Sequence, residues 1–126
     1  MDIINLSLGT TINSKILHKA IIDANNAGIL IVAAAGNRGK SDGIVEYPAA
    51  YKEVLSVGAI DSNADISETS SYGDKVDVVA PGELIKTVAN FGMETVSSGT
   101  SMAAPHVVGI ASVLWQKDKT KRCRLL

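Results

Sequence analysis

A serine placed for nucleophilic chemistry stands between a glycine and an apolar run late in the sequence. Ser101 follows Gly99 and Thr100, and the apolar residues after it recur at helical spacing. Glycine tolerates turn conformations and Thr or Ser favours a helix start, so a helix is predicted from Ser101 to about residue 116. Unpaired NH groups and the positive dipole end of a helix stabilise negative charge. We therefore expect an oxyanion formed beside Ser101 to be stabilised.

A second residue suited to oxyanion chemistry, Asn37, follows a run of small residues. It comes after Ala34, Ala35 and Gly36, at the end of a predicted strand. An asparagine in this position is often only a turn residue. A Thr-Ser pair after glycine likewise often only caps a helix. The residues alone therefore leave a structural and a catalytic interpretation open for both sites.

Two motifs, in the right order, resemble those of the subtilisin-like serine proteases. The string 99–107 resembles the serine-nucleophile motif of that family, and 33–37 resembles its oxyanion-asparagine motif. The resemblance runs from Ile3 to about Trp115 and covers only the later half of the family's catalytic domain. It implies that Ser101 attacks a peptide carbonyl to form an acyl-enzyme. The Asn37 amide and the Ser101 NH would hold the oxyanion.

The resemblance also assigns the substrate-binding segments. Ser7, Leu8 and Gly9 resemble the extended segment that pairs with the substrate backbone. The segment 34–36 resembles one wall of the pocket for the side chain before the scissile bond. Small residues also permit close strand packing, and the two interpretations of this segment are compatible.

The aspartate and His-Gly-Thr-His motifs of the family do not occur in these 126 residues. His106 is predicted to be structural, because five residues along a helix place it about 140° around the axis from Ser101 and about 7.5 Å along it. His18 is predicted to be a surface or helix-packing residue. A serine without a base is a weak nucleophile, so we expect this chain alone to be inactive or nearly so. The alternative is a non-enzymatic subtilase-like remnant that binds peptides or a partner.

The surrounding sequence predicts an α/β fold, in which a parallel sheet carries helices on both faces as an incomplete subtilisin-like domain. The run 29–34 is continuously apolar, which is typical of a strand buried on both faces. We expect residues 1–116 to form the peptidase part and 117–126 a basic tail. Strands are predicted at 3–8, 29–34, 54–60 and 76–79, helices at 13–26 and 101–116, and a hairpin around 90–92.

Composition narrows the set of partners. A net charge of −1 gives no reason to expect nucleic acid or an anionic membrane as partner, and no apolar run approaches the roughly 20 residues that span a bilayer. We expect a peptide or protein substrate, together with the missing amino-terminal half of the domain or a second copy, because an incomplete sheet exposes a strand edge. The single cysteine, Cys123, excludes an internal disulfide. The family slightly favours secretion, although no signal peptide is recognised.

No cofactor is expected to be required. The resemblance suggests a weak cation site, for calcium or a monovalent ion, near Ala49, Tyr51, Val54 and Asp77. Lys75 stands where an acidic residue would help, and its charge could substitute for the ion. We therefore expect no required metal at this site.

Overall fold

The main sheet has four parallel strands that lie in the order of the sequence. The computed structural model describes residues 2–117. Helix α1 (Lys15–Asn26) joins the first two strands, and helix α2 (Thr100–Lys117) follows a separate antiparallel hairpin. The sheet strands are β1 (Ile3–Leu6), β2 (Leu30–Ala34), β3 (Leu55–Ile60) and β4 (Val78–Pro81), and the hairpin strands are β5 (Ile85–Val88) and β6 (Glu94–Ser97).

Strand β2 is the centre of the core and is buried on both faces. Leu30, Val32 and Ala34 pack in a cluster with residues of α2, while Ile31 and Ala33 pack in a second cluster with Ile21 of α1. This double burial explains why the strand is a continuous apolar run instead of an alternating one. The predicted α/β fold with helices on both faces is confirmed.

The parallel pairing brings three chain segments to one edge of the sheet. Leu6 is in register with Ala33, so β1 and β2 end together, while Ala34 is in register with Val57 and β3 continues to Ile60 at the same edge. Ligands of open parallel sheets bind outside the carboxyl ends of the strands. The segments that leave β1 and β2 here are the ones predicted to bind substrate.

Several element boundaries differ from the sequence prediction. Strand β1 ends at Leu6, two residues earlier than predicted, and β4 begins at Val78, two residues later. Val76 does not join the strand because its NH donates to the carbonyl of Gly73 and closes a turn. The hairpin predicted around 90–92 is confirmed by the antiparallel pairing of β5 and β6.

The carboxyl-terminal prediction is only partly covered by the structure. Helix α2 continues to Lys117, the first residue of the predicted basic tail. The rest of that tail, including Cys123, lies outside the described residues. Within residues 2–117, no helix combines the length and apolar character needed to cross a membrane.

Candidate active site

Ser101 lies in the first turn of α2, at the carboxyl edge of the sheet. Gly99, just before the helix, has a φ of 137°, a backbone conformation that favours glycine. Its NH donates to the carbonyl of Gly82 at 2.7 Å, which anchors the turn to the end of β4. The NH groups of the first helical turn have no intrahelical acceptor. Ser101 therefore lies among backbone donors, as its sequence context predicted.

The side chain of Asn37 caps this helix. Its Oδ1 accepts hydrogen bonds from the Thr100 NH at 2.9 Å and from the Thr100 hydroxyl at 3.1 Å. A backbone NH can only donate, so the atom facing it is the amide oxygen, and the NH₂ group remains as a donor. The structure thus brings both predicted catalytic residues, Asn37 and Ser101, to one helix start.

Thr100 is a site residue whose full role the sequence did not reveal. Its side chain is fully buried, and its hydroxyl accepts a hydrogen bond from the Gly36 NH at 3.1 Å. The same hydroxyl donates to Asn37, so one side chain links the end of β2 to the start of α2. The sequence showed only a helix-start threonine, because its partners lie more than 60 residues away.

Ser7 ties the end of β1 to the same helix. Its hydroxyl donates to the Ser101 carbonyl at 2.9 Å, and the Ser101 hydroxyl lies 3.3 Å from the Ser7 carbonyl. Pro105 lies four residues after Ser101 inside α2 and has no NH to donate to that carbonyl. The Ser7 hydroxyl therefore satisfies an acceptor that the proline leaves without its helical partner. Asn5 in turn donates to the Ser7 hydroxyl at 3.0 Å.

The two predicted substrate-binding segments lie on either side of a glutamate. Leu8 is 56% exposed, whereas Ala34 and Ala35 are buried. A Cβ built on Gly9 would overlap Glu46 Oε2, and one built on Gly36 would lie 3.0 Å from the same atom. The sequence interpretation missed Glu46. The available signal was a single acidic residue inside the mostly apolar stretch 44–51.

The loop after Asn37 is held by an ion pair. Arg38 Nε and Nη2 lie 2.8 and 2.5 Å from the two carboxylate oxygens of Asp42. The hydrogen bond from Arg38 is the main reason that the pKa of Asp42 is lowered to about 2. The NH of Gly43 also donates to the Arg38 carbonyl at 2.9 Å. These contacts limit the freedom of the loop that carries Asn37.

Neither histidine contacts Ser101. His106 Nδ1 lies 2.9 Å from the carbonyl of Met102 on its own helix. His18 Nε2 lies 3.0 Å from Glu53 Oε2, and the His18 ring stacks on Tyr51 with centroids 4.0 Å apart. Burial raises the pKa of the Glu53 carboxyl, but the His18 hydrogen bond and weaker favourable contacts outweigh it and leave the pKa below its usual value.

The residues predicted near a cation site are engaged in protein contacts. Asp77 Oδ2 accepts a hydrogen bond from the Ser56 NH at 2.8 Å, and the Tyr51 carbonyl accepts one from Val54. Lys75 Nζ lies 5.9 Å from the centroid of the Tyr47 ring. In residues 2–117, no three His, Cys, Asp or Glu side chains are grouped closely enough to hold a metal ion. A carbonyl-based site at Ala49, Tyr51 and Val54 stays a prediction.

Known proteins resemble this chain in sequence and in fold. The chain is 45% identical over 114 residues to the thermostable alkaline protease of Halalkalibacterium halodurans, a match that covers 90% of this chain and 31% of that protein. It is 43% identical over 118 residues to the minor extracellular protease Epr of Bacillus subtilis, covering 94% of this chain and 18% of that protein. The structure of the prenylagaramide maturation protease PagA matches with a TM-score of 0.84 and 33% identity, over 96% of this chain and 47% of that one.

The matches show the family of the chain and how much of its relatives' length it covers. The chain spans less than half the length of each of these relatives. The sequence model of the subtilase family matches residues 1–123, which is nearly all of the sequence. The chain therefore belongs to the subtilase family.

Proposed function

We propose that this chain is the nucleophile-bearing part of a serine endopeptidase. Ser101 Oγ would attack the carbonyl carbon of a peptide bond, and its proton would pass through a base to the departing amine. Water would then hydrolyse the acyl-enzyme and restore the serine. The observation that carries this proposal is the hydrogen bond from the Thr100 NH to Asn37 Oδ1, which fixes an amide beside the start of the serine helix.

This geometry supports an oxyanion site with two donors. The Asn37 NH₂ is free of the capping role taken by Oδ1, and the Ser101 NH belongs to the first turn of α2. Removing one such donor from a preorganised site typically slows a reaction 10²–10³-fold, or roughly 2.7 to 4 kcal/mol. The hydrogen bond between Asn37 and Thr100 supports a site in which both donors would be oriented before a substrate binds.

The proposed reaction needs a base, and neither histidine of the sequence contacts Ser101. His18 and His106 are its two histidines, and their side chains contact Glu53 and Met102. We therefore propose that the triad histidine and aspartate come from protein segments outside residues 1–126. Alone, the chain would then be inactive or nearly so, because triad members act as a unit.

The unpaired edge of the main sheet indicates a protein partner. Strand β1 lies at one edge of the main sheet, and that edge pairs with no other strand among the described residues. We propose that it associates with the amino-terminal half of the catalytic domain or with a second copy, since unpaired edges template pairing. Gel filtration should then show a complex or an oligomer. A dilute monomer that unfolds cooperatively would contradict this partner proposal.

Three further properties are proposed from the resemblance to the family. Secretion is supported by the similarity to a protein named as extracellular in Bacillus subtilis. Substrates are proposed to be peptides or proteins bound along Ser7, Leu8 and Gly9, whose backbone continues from the end of β1. No metal would be required, because the Lys75 ammonium would take the place of an ion.

Covalent labelling tests the peptidase proposal. A fluorophosphonate probe is applied to the chain alone and to the chain mixed with the amino-terminal half of a subtilisin catalytic domain. We expect labelling only in the mixture, with Ser101→Ala abolishing it and Ser112→Ala, which changes another serine of the same helix, leaving it unchanged. No labelling in any sample would favour the second candidate, a non-enzymatic remnant. That candidate rests on the contacts of the two histidines, which are made to Glu53 and Met102 and not to Ser101.

A further inference from the structure

The carboxylate of Glu46 lies between two glycines at the ends of the substrate-binding segments. A Cβ on Gly9 would overlap Glu46 Oε2, and one on Gly36 would come within 2.9 Å of its carboxyl carbon. Cβ atoms this close would displace the Glu46 side chain, so the carboxylate keeps its observed position only beside bare backbone on both sides. Both glycines therefore share the space around one negative charge.

Backbone hydrogen bonds fix this placement. The Glu46 NH donates to the Ala35 carbonyl at 2.8 Å. The next residue, Tyr47, exchanges two hydrogen bonds with Thr10, at 2.8 and 2.9 Å. The segment that carries Glu46 is thus hydrogen-bonded to Ala35 of one substrate-binding segment and to Thr10, the residue that follows the other.

The two segments also border the nucleophile. The first is tied to α2 by the hydrogen bond from Ser7 to the Ser101 carbonyl, at 2.9 Å. The second is tied to it by the hydrogen bond from Gly36 to Thr100, at 3.1 Å. The segments on both sides of Glu46 are therefore hydrogen-bonded to the first turn of α2.

The charge of Glu46 is not neutralised within the described part of the chain. The residue is half-buried, and no cationic side chain of residues 2–117 lies within 4.0 Å of its carboxylate. Arg38 is near enough to be influenced by Glu46, yet its guanidinium is held by both oxygens of Asp42. A partly desolvated carboxylate without a partner is unfavourable, and a cation supplied by a ligand would relieve that cost.

We propose that Glu46, between the substrate-binding segments 7–9 and 34–36, selects peptides with a lysine or arginine at the position before the attacked carbonyl. The inference rests on the proposed function for the register of the peptide, which the position of Ser101 sets. The side chain before the scissile bond would approach beside Gly9 and Gly36, and its ammonium or guanidinium would pair with the Glu46 carboxylate that lies between them. An uncharged side chain of the same length would fill the same space but leave the carboxylate unpaired.

A binding experiment on the full chain tests this selectivity without requiring catalysis. Two peptides are titrated, acetyl-Ala-Ala-Ala-Lys and acetyl-Ala-Ala-Ala-norleucine, with the amide NMR signals of Gly9 and Gly36 as the readout. We expect the lysine peptide to bind about tenfold more tightly. In Glu46→Gln the two affinities should become equal. Glu68→Gln, which removes an exposed carboxylate paired with Lys40, should keep the tenfold ratio.

Each outcome separates this inference from the peptidase proposal. Equal affinities in the unmodified chain, a ratio that survives Glu46→Gln, or no binding of either peptide would overturn the selectivity. The first of these does not depend on the variant folding. Fluorophosphonate labelling of the same samples reports on Ser101 independently. Labelling without a lysine preference would support the peptidase proposal and overturn the selectivity. A lysine preference without labelling would support the selectivity and count against the peptidase proposal.

Discussion

Two polar clusters on opposite faces of the sheet contain side chains that enzymes use, and only one of them lies both at a helix start and at the carboxyl ends of the parallel strands. The first joins Asn37, Thr100 and Ser101 at the start of α2. The second joins His18 and Glu53, 3.0 Å apart, beside Tyr51 on the α1 face. The second has the residue types of a base and its orienting carboxylate, yet its ring is covered by Tyr51. Position, and not residue type, therefore distinguishes the two clusters. Only the first lies at a helix start and at the carboxyl ends of parallel strands.

The largest expected effect comes from substitutions of Asn37, which separate its role as a helix cap from its proposed role as an oxyanion donor. Asn37→Ala removes both the cap and the proposed oxyanion donor, so labelling of the complemented chain should slow 10²–10³-fold and the free energy of unfolding should fall by about 1 kcal/mol. Asn37→Asp keeps oxygens that accept from the Thr100 NH but has no NH₂ group. It should slow labelling similarly while keeping the stability. Labelling rates and urea unfolding measure the two effects.

The aspartate variant is the decisive member of that pair. If Asn37→Asp labels as fast as the unmodified chain, the side chain is only a helix cap and the two clusters are alike in being structural. If both variants lose rate but only Asn37→Ala loses stability, the donor and the cap are separate functions of one amide.

On the opposite face, loss of His18 should affect stability alone. His18→Ala removes the ring stacked on Tyr51 and leaves Glu53 without its partner, so the free energy of unfolding should fall by about 1 kcal/mol. The labelling rate in the complemented sample should stay unchanged. A rate loss as large as that of Asn37→Ala would show that the α1 face contributes to the chemistry and would remove the contrast between the clusters.

A smaller effect is expected where β1 meets α2. Ser7→Ala leaves the Ser101 carbonyl without the hydroxyl that replaces its helical donor, which Pro105 cannot supply. This exposed bond should contribute about 0.5–1 kcal/mol to stability. The double variant Ser7→Ala, Pro105→Ala is the matched test, because replacing the proline by alanine would restore a backbone NH for that carbonyl. Urea unfolding should show a smaller cost of Ser7→Ala in the Pro105→Ala background than in the native one.

The sequence predicted the fold better than it predicted the connections within the site. Strand β2 was found correctly because burial on both faces leaves a continuous apolar run that periodicity detects. Ser101 and Asn37 were identified from their motifs, and the structure brings them together. Glu46 and the links from Ser7 and Thr100 were missed. They depend on contacts between residues far apart in sequence, such as the 94-residue separation of Ser7 and Ser101, which no local pattern records.

The smallest expected effect is the acid sensitivity of two carboxylates, Asp42 in the loop after Asn37 and Glu53 on the α1 face. The pKa of Asp42, in the loop after Asn37, is lowered from 3.8 to about 2, so its ion pair with Arg38 stabilises the fold above pH 3.8 and is lost as the pH falls towards 2. The contribution of Glu53 to stability is likewise lost as the pH falls, since its pKa is also lowered. Urea unfolding between about pH 5 and pH 2 should show a shallower pH dependence in Asp42→Asn than in the unmodified chain.

Arg38→Gln provides the matched control, because it removes the other member of the Asp42 pair. It should flatten the pH dependence of the free energy of unfolding about as much as Asp42→Asn does. Combining the two substitutions should flatten it little further. Glu53→Gln should act independently, since its partner His18 lies on the other face. If Glu53→Gln and Asp42→Asn failed to add, the two faces would be coupled through the sheet, and the stability of the α1 cluster would then contribute to holding the loop that carries Asn37.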